Sequence, residues 1–214
     1  MLEPITWFRQ AALRWRDETR TIYIDPWGTG LDPAPADLIL ITHAHFDHFR
    51  PEEIERLRRS GTKLVAPHDV AAELTGDVTP VRPGESIEVA GVRIATVPAY
   101  NTRDKALEFH PQGNGWVGYV LEVGGVTYYH AGDTDHAPEL DEVRADVAFL
   151  PIGGHFTMDW HAAAGLAKTV EPAVAVPIHY GFVRGSRADG ARFRDAAAPI
   201  PVELLVPVDD FERE

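Results

Sequence analysis

The residues with the clearest capacity for chemistry lie between positions 42 and 48. Three histidines and one aspartate occur there in the order HxHxDH, as His43, His45, Asp47 and His48. Imidazole nitrogens and carboxylate oxygens bind zinc, and also iron and manganese. His43 and His45 can point the same way at the end of an extended segment, because side chains on a strand alternate with a period of two. The pattern predicts a metal site. The alternative, a solvated histidine-rich loop, is disfavoured because four such residues in this order are rare by chance.

The segment before this cluster reads as a buried strand, because residues 36–41 (ADLILI) are almost entirely apolar. The cluster is therefore expected at a strand end. Asp47 and His48 come after the chain has turned, so they can address a second ion beside the first. Residues 51–57 begin with proline and two glutamates, which favours a helix directly after the cluster.

The remaining chain alternates short strands with helices. Further strands are predicted at 5–8, 12–16, 19–24, 63–66, 86–89, 92–97, 116–123, 126–130, 147–150, 173–178 and 202–206. Two further helices are predicted at 160–170 and 187–198. This pattern favours a mixed α/β fold. The longest irregular stretch is 101–115, and a loop of that length in a compact domain is often functional.

Composition limits the classes of protein that the chain can belong to. It has 214 residues, for which one domain (1–214) is expected, and no cysteine, which excludes disulfides and Cys-ligated zinc. A net charge of −13 disfavours a general nucleic-acid partner. Without disulfides, a signal-peptide pattern or a long apolar run, the chain is expected to be cytoplasmic and outside the membrane. A homo-oligomer stays open.

Further motifs lie on both sides of the histidine cluster, one before it and five after it. They are 22–27 (IYIDPW), 98–101 (PAYN), 110–113 (HPQG), 129–135 (YHAGDTD), 151–154 (PIGG) and 177–181 (PIHYG). Together with HxHxDH, they resemble the metallo-β-lactamase-fold hydrolases, and within them the small UlaG-like branch of metal-dependent hydrolases. The resemblance runs from about residue 5 to residue 207 and implies an αββα sandwich.

The resemblance also implies three further metal ligands. Asp133 follows Gly132, which lets the backbone approach closely, and its alternative is an ordinary turn aspartate. His179 follows an apolar strand, and its alternative is a packed core histidine. His110 matches a family motif in the irregular stretch, and its alternative is a loop histidine.

The implied site holds two divalent ions. Zinc is expected for both, with manganese or iron as alternatives. One ion would be held by His43, His45 and His110, and the other by Asp47, His48 and His179, with Asp133 as the bridge.

The implied activity is hydrolysis of a small molecule by a water that the two ions activate. The substrate could be a lactone or other ester, an amide or a phosphodiester. Asp47 is expected to orient the water, and Tyr180 and His155 to contact the substrate, with an exposed loop histidine as the alternative for His155. Gln10 stands where similar sequences more often carry histidine.

Two other functions remain open. A di-iron redox protein of the same fold is disfavoured, because its usual pattern has an acid at the position of His45. A metal-binding or regulatory module without turnover is disfavoured by the full set of ligands.

Overall fold

Two six-stranded sheets form the centre of the protein, seen in a computed structural model that describes residues 1–104 and 106–214. The first sheet follows chain order and contains β1 (Ile5–Trp7), β2 (Leu13–Arg16), β3 (Thr21–Ile24), β4 (Leu38–Leu40), β5 (Lys63–Pro67) and β6 (Val78–Val81). The strands β1 to β3 pair antiparallel, whereas β3 to β6 pair parallel.

The second sheet has the order β12-β11-β10-β9-β8-β7. It contains β7 (Ser86–Val89), β8 (Val92–Pro98), β9 (Val117–Val123), β10 (Val126–His130), β11 (Val147–Pro151) and β12 (Val174–Ile178). The strands β7 to β10 pair antiparallel, and β10 to β12 pair parallel.

Helices pack against both sheets. They are α1 (Pro51–Leu57), α2 (His68–Glu73), α3 (Trp160–Val170) and α4 (Ala188–Ala197), with short 3-10 helices at Gln112–Asn114 and Pro138–Glu142. The predicted αββα sandwich is confirmed. No helix in the described part of the chain combines the length and apolar character that crossing a membrane requires.

The strand β4 illustrates why the sequence before the cluster is continuously apolar. Leu38 and Leu40 face the core between the two sheets. Ile39 and Ile41 face the opposite side and pack with Ile54 of α1. Because side chains alternate across a strand, a strand buried on both faces needs apolar residues at every position.

The parallel strands bring the candidate site residues to the ends of neighbouring strands. Asp25 follows β3, and residues 42–48 follow β4, its parallel neighbour. In the second sheet, Asp133 follows β10 and His179 follows β12, on either side of β11. Parallel strands share the edge at which their carboxyl ends lie, so side chains after them converge.

The prediction of a last strand at 202–206 is wrong. Only Val202 pairs, in an isolated bridge to Ala175 on β12. Pro201 and Pro207 flank the segment, and proline has no N–H with which to extend a ladder.

One α-helix and one strand of the described chain were missing from the predictions. The helix α2 has only six residues and no side-chain cap, so neither periodicity nor capping marks it. The strand β6 is an edge strand that contains Pro80, a residue that argues against a strand in a sequence. Of the irregular stretch 101–115, the described part contains only the 3-10 helix at Gln112–Asn114.

Candidate metal centre

The structure brings the seven predicted ligands into one cluster. The ligand atoms of His43, His45 and His110 all lie within 4.8 Å of one another. The same distance encloses a second group at the strand ends, formed by Asp47, His48 and His179.

Asp133 lies between these two groups. Its Oδ2 atom is 3.0 Å from His179 Nε2 and 3.4 Å from His110 Nε2. Its Oδ1 atom is 3.3 Å from His48 Nε2. A carboxylate so placed faces both groups of side chains at once, which is the position that a bridging ligand needs.

The chain turns at His45, as the spacing of the cluster predicts. The backbone N–H groups of His48 and Phe49 both donate to the carbonyl of His45, over 3.0 and 2.8 Å. This turn sends Asp47 and His48 away from the direction of β4. The ring of His48 still lies against that of His43, with centroids 3.9 Å apart, and these two histidines group with Asp133 as well.

Asp25 and Thr42 set the tautomers of two histidines. Asp25 Oδ2 accepts from Thr42 Oγ1 and from His48 Nδ1, each at 2.7 Å. Because the hydroxyl proton of Thr42 is used in this way, its oxygen accepts from His43 Nδ1 at 2.9 Å. Both rings therefore carry a proton on Nδ1, which leaves Nε2 as the nitrogen that can bind a metal.

Asn101 does the same for His110. Its Nδ2 donates to the carbonyl of Phe156 over 2.8 Å, so its Oδ1 faces His110 Nδ1 at 2.9 Å. That nitrogen must donate, and His110 Nε2 is left facing Asp133. The irregular stretch therefore contributes both a candidate ligand and the residue that orients it.

A tight turn after β10 positions Asp133. Gly132 has φ +65°, and a Cβ there would lie 3.0 Å from the carbonyl oxygen of Val117 and 3.3 Å from the side chain of Thr42. The backbone N–H of Gly132 donates to His130 Nδ1 over 3.2 Å. Glycine allows the backbone to lie this close to Val117 at the start of β9 and to Thr42 in this conformation.

Charges within the cluster strongly perturb its pKa values. Burial alone would raise the pKa of Asp133, but the neighbouring His179 and His48 hold it well below its usual range. Burial alone would lower the pKa of His179, but Asp133 raises it to about 9. His43, with weaker support from carboxylates, has its pKa held well below the usual value by burial and by His48. Asp133 is therefore ionised, and positive charge beside it is stabilising.

The side chains fit a divalent cation. His48 Nε2, His110 Nε2 and Asp133 Oδ1 are buried and have no hydrogen-bond partner among the described residues. Buried polar atoms without partners cost free energy, and these three converge on the same space. His43 Nε2, which carries a lone pair, also lies 3.1 Å from His45 Nδ1. A nitrogen and oxygen donor set of this kind suits zinc, iron or manganese.

A small cavity of about 180 Å³ opens beside the cluster. One side is formed by candidate ligands, namely His45, Asp47, His110 and Asp133. The other side is apolar and is formed by Phe46, Phe109, Phe156 and Val183. Phe46 is 61% exposed, so the apolar side reaches the protein surface.

Comparison with known proteins identifies the family. Residues 4–179 match the family model described as the β-lactamase superfamily domain. The chain belongs to this superfamily. It is 31% identical to a UPF0173 metal-dependent hydrolase of Methanopyrus kandleri over 229 residues, which cover 98% of this chain and 99% of the relative. A UPF0173 metal-dependent hydrolase of Thermococcus kodakarensis is 39% identical over 214 residues, with 91% and 92% coverage.

The fold of a solved relative agrees with this assignment. The crystal structure described as a metal-dependent hydrolase of Parabacteroides distasonis has a TM-score of 0.84 and 31% identity. The match covers 94% of this chain and 91% of the solved chain. The protein is therefore a metal-dependent hydrolase of the UPF0173 family.

The other two catalytic candidates of this UPF0173 hydrolase lie outside the ligand cluster. His155 is exposed and packs against Phe109 and Phe156, two residues of the apolar wall, with ring centroids 5.4 and 4.5 Å away. Tyr180 is buried and stacks on Trp7 at 5.4 Å. Tyr180 is not one of the described residues that line the small cavity.

Sequence reasoning assigned no role to four residues that touch the ligands: Gln10, Asp25, Thr42 and Asn101. Asp25 and Asn101 belong to the family motifs at 22–27 and 98–101, which was a signal that they matter. Thr42 directly precedes the cluster. Gln10 donates from Nε2 to Asp47 Oδ2 over 2.8 Å, and only its departure from the usual histidine drew attention to it.

Proposed function

We propose that this hydrolase cleaves a small lactone or other carboxylic ester that carries an apolar group. The observation that supports this proposal is the two-sided cavity. Its polar side is made of candidate metal ligands, and Phe46, Phe109, Phe156 and Val183 make its apolar side. An apolar wall favours a substrate with a hydrocarbon portion, because burying that portion is the main source of binding free energy.

In this proposal the cluster holds two divalent ions, zinc in the first instance. Two such ions supply a water of lowered pKa and polarise the scissile carbonyl oxygen. His43, His45 and His110 would hold one ion, and Asp47, His48 and His179 the other, with Asp133 between them. The motif order supports, within the superfamily, a place near the UlaG-like branch.

Asp47 has a second role in the proposal. Its carboxylate lies in the wall of the cavity and next to His48 and His179, whose Nε2 atoms are 3.7 and 3.6 Å from Oδ2. An ionised carboxylate there can accept a hydrogen bond from the attacking water and orient it towards the substrate. His155, which packs on the apolar wall, would contact the substrate from the rim of the cavity.

The volume of the cavity restricts the substrate. A space of about 180 Å³ suits a small acyl group or lactone ring better than a polymer. The net charge of −13 also disfavours a polyanionic substrate such as nucleic acid.

A panel of chromogenic substrates tests the proposal. The zinc-loaded protein is assayed with p-nitrophenyl esters of increasing acyl length, with γ- and δ-lactones, and with bis-p-nitrophenyl phosphate. We expect kcat/KM to be highest for a short apolar ester or a lactone. Phe109→Ala should reduce the preference for longer acyl chains, whereas Leu31→Ala, at a fully exposed residue that does not line this cavity, should not. A preference for the phosphodiester, or iron with redox turnover, would contradict the proposal.

A further inference from the structure

Gln10 is a fully buried polar residue that lies against the candidate metal centre. It occupies the bend between β1 and β2, with φ +49° and 0% exposure. Its backbone carbonyl accepts from the indole nitrogen of Trp7 at 2.9 Å and from the backbone N–H of His179 at 2.7 Å. The main chain of Gln10 is therefore fixed beside one candidate ligand, and its side chain has little freedom.

The side-chain amide of Gln10 has partners for its nitrogen but not for its oxygen. Its Nε2 atom lies 2.8 Å from Asp47 Oδ2 and 2.9 Å from His179 Nε2. Its Oε1 atom is buried and has no hydrogen-bond partner in the described part of the chain. An amide oxygen without a partner is costly in a protein interior, because burial strips its water and nothing replaces it.

A half turn of the amide exchanges its oxygen and its nitrogen, which have nearly the same size. Oε1 then takes the place beside Asp47 Oδ2 and His179 Nε2. Two acceptor oxygens 2.8 Å apart repel each other unless a cation lies with them. With a cation present, the carboxylate, the imidazole and the amide oxygen become a consistent set of donors, and the amide N–H2 takes the buried place that Oε1 leaves.

We propose that Gln10 is a further metal ligand, which binds through Oε1 to the ion held by Asp47, His48 and His179. This inference rests on the proposed metal centre. An amide oxygen is a neutral, hard donor that adds no charge, so it completes a site that already has Asp47 and Asp133. A role limited to holding Asp47 through the amide N–H is the alternative, and a substitution can separate the two.

Zinc titration against a chromogenic chelator is the test, with three variants. Gln10→Leu has similar volume and no donor atom. Gln10→Glu keeps an oxygen at the same reach but cannot donate a hydrogen bond. Gln112→Glu is the matched control, because Gln112 is the only other glutamine of the chain and is exposed.

We expect Gln10→Leu to weaken one of two zinc sites by about 10-fold or more. Gln10→Glu should bind zinc at least as tightly as the wild type, and Gln112→Glu should match the wild type.

The contrary outcomes are distinct. If Gln10 only donates to Asp47, Gln10→Glu sets two carboxylates against each other and weakens zinc as much as Gln10→Leu does. That result, or an unaffected Gln10→Leu, would overturn the inference. A wild-type protein that binds no zinc would instead remove the proposed metal centre itself, and this inference with it.

A measurement on the wild-type protein covers the case in which Gln10→Leu does not fold. With glutamine labelled with ¹³C at Cδ, the chain gives two carbonyl signals, from Gln10 and Gln112. Coordination through Oε1 should shift the Gln10 signal when zinc is added and leave the Gln112 signal in place. An unshifted Gln10 signal in the zinc-loaded protein would overturn the inference.

Discussion

At the level of single residues, hydrogen bonds at Nδ1 decide which ring nitrogen of His43, His48 and His110 is available. Asp25 fixes His48 in this way, and Asn101 fixes His110. In both cases the partner is an acceptor, so the ring donates from Nδ1 and keeps Nε2 for the centre of the cluster. Such partners are worth roughly 10- to 100-fold in metal affinity in known metal sites.

The hydrogen bond from His110 to Asn101 can be tested with a pair of asparagine variants. Asn101→Ala should lower the affinity for one zinc ion by about 10- to 100-fold, because His110 loses the partner that fixes its tautomer. The measurement is competition with a chromogenic chelator. Asn114→Ala is the control, since Asn114 is exposed. Equal affinities of the two variants would show that the Asn101 hydrogen bond has no part in binding.

His110 itself requires a separate test, because it lies in an irregular stretch while the other candidate ligands lie near strand ends. His110→Ala should lose one of two zinc ions and lower turnover by at least about 100-fold. Elemental analysis and kcat measure the two effects. His136→Ala, which removes a partly exposed histidine bonded to Asp141, is the control. Full metal content and near-normal kcat in His110→Ala would remove His110 from the site.

Contacts between residues that are far apart in the chain could not be predicted from the sequence. The group of His43, His45, Asp47 and His48 could be recognised because its members are adjacent in the chain. The contact of Gln10 with Asp47 spans 37 positions and that of Gln10 with His179 spans 169. No local pattern encodes such contacts, since the first depends on the strand order within the first sheet and the second on how the two sheets face each other.

At the level of elements, burial and capping explain which predictions succeed. The helix α3 is confirmed at Trp160–Val170, where Asp159 caps it by accepting from two backbone N–H groups. The strand β4 is confirmed because it is buried on both faces. The segment 202–206 looked like a strand on composition alone, but its flanking prolines leave it with one pairing residue.

The connection after β10 is the element on which the position of Asp133 depends. Gly132→Ala should lower the free energy of unfolding by about 2–3 kcal/mol, because the new Cβ meets Val117 and Thr42 at a positive φ. Urea denaturation in excess chelator measures this without a contribution from metal. Gly125→Ala is the matched control, with φ +75° and no atom within 4 Å of the new Cβ.

This control isolates strain from crowding. Gly125→Ala should cost only about 1 kcal/mol, which is the price of a positive φ for alanine. Equal losses in the two variants would mean that the close approach of Gly132 to Val117 and Thr42 has no energetic consequence.

At the level of the whole molecule, the fold buries carboxylates beside histidines at the junction of two sheets. Asp25, Asp47 and Asp133 are 0%, 7% and 4% exposed. Charges of the same sign at close range destabilise the folded state unless positive charge accompanies them. Protons on His48 and His179 can supply part of that charge, and a divalent cation can supply more. Metal binding and folding stability should therefore be coupled.

Removal of metal tests this coupling in the intact protein. Metal binds the folded state preferentially. Free zinc at about 100 times its dissociation constant should therefore raise the free energy of unfolding by about 2.7 kcal/mol for each site. For a chain of this size, each kcal/mol corresponds to about 2–4 °C in Tm, so chelation should lower Tm by roughly 5–10 °C per ion. The measurement is thermal unfolding with and without excess chelator, with metal loss checked by elemental analysis. Chelator already saturated with zinc is the control for its own effect on stability.

The variant Asp133→Asn tests the same coupling. Chelation should lower its Tm by less than it lowers the Tm of the wild type, because the side chain no longer carries the charge that attracts the ions. An unchanged Tm after confirmed metal loss would mean that the cluster binds metal without contributing to the stability of the fold.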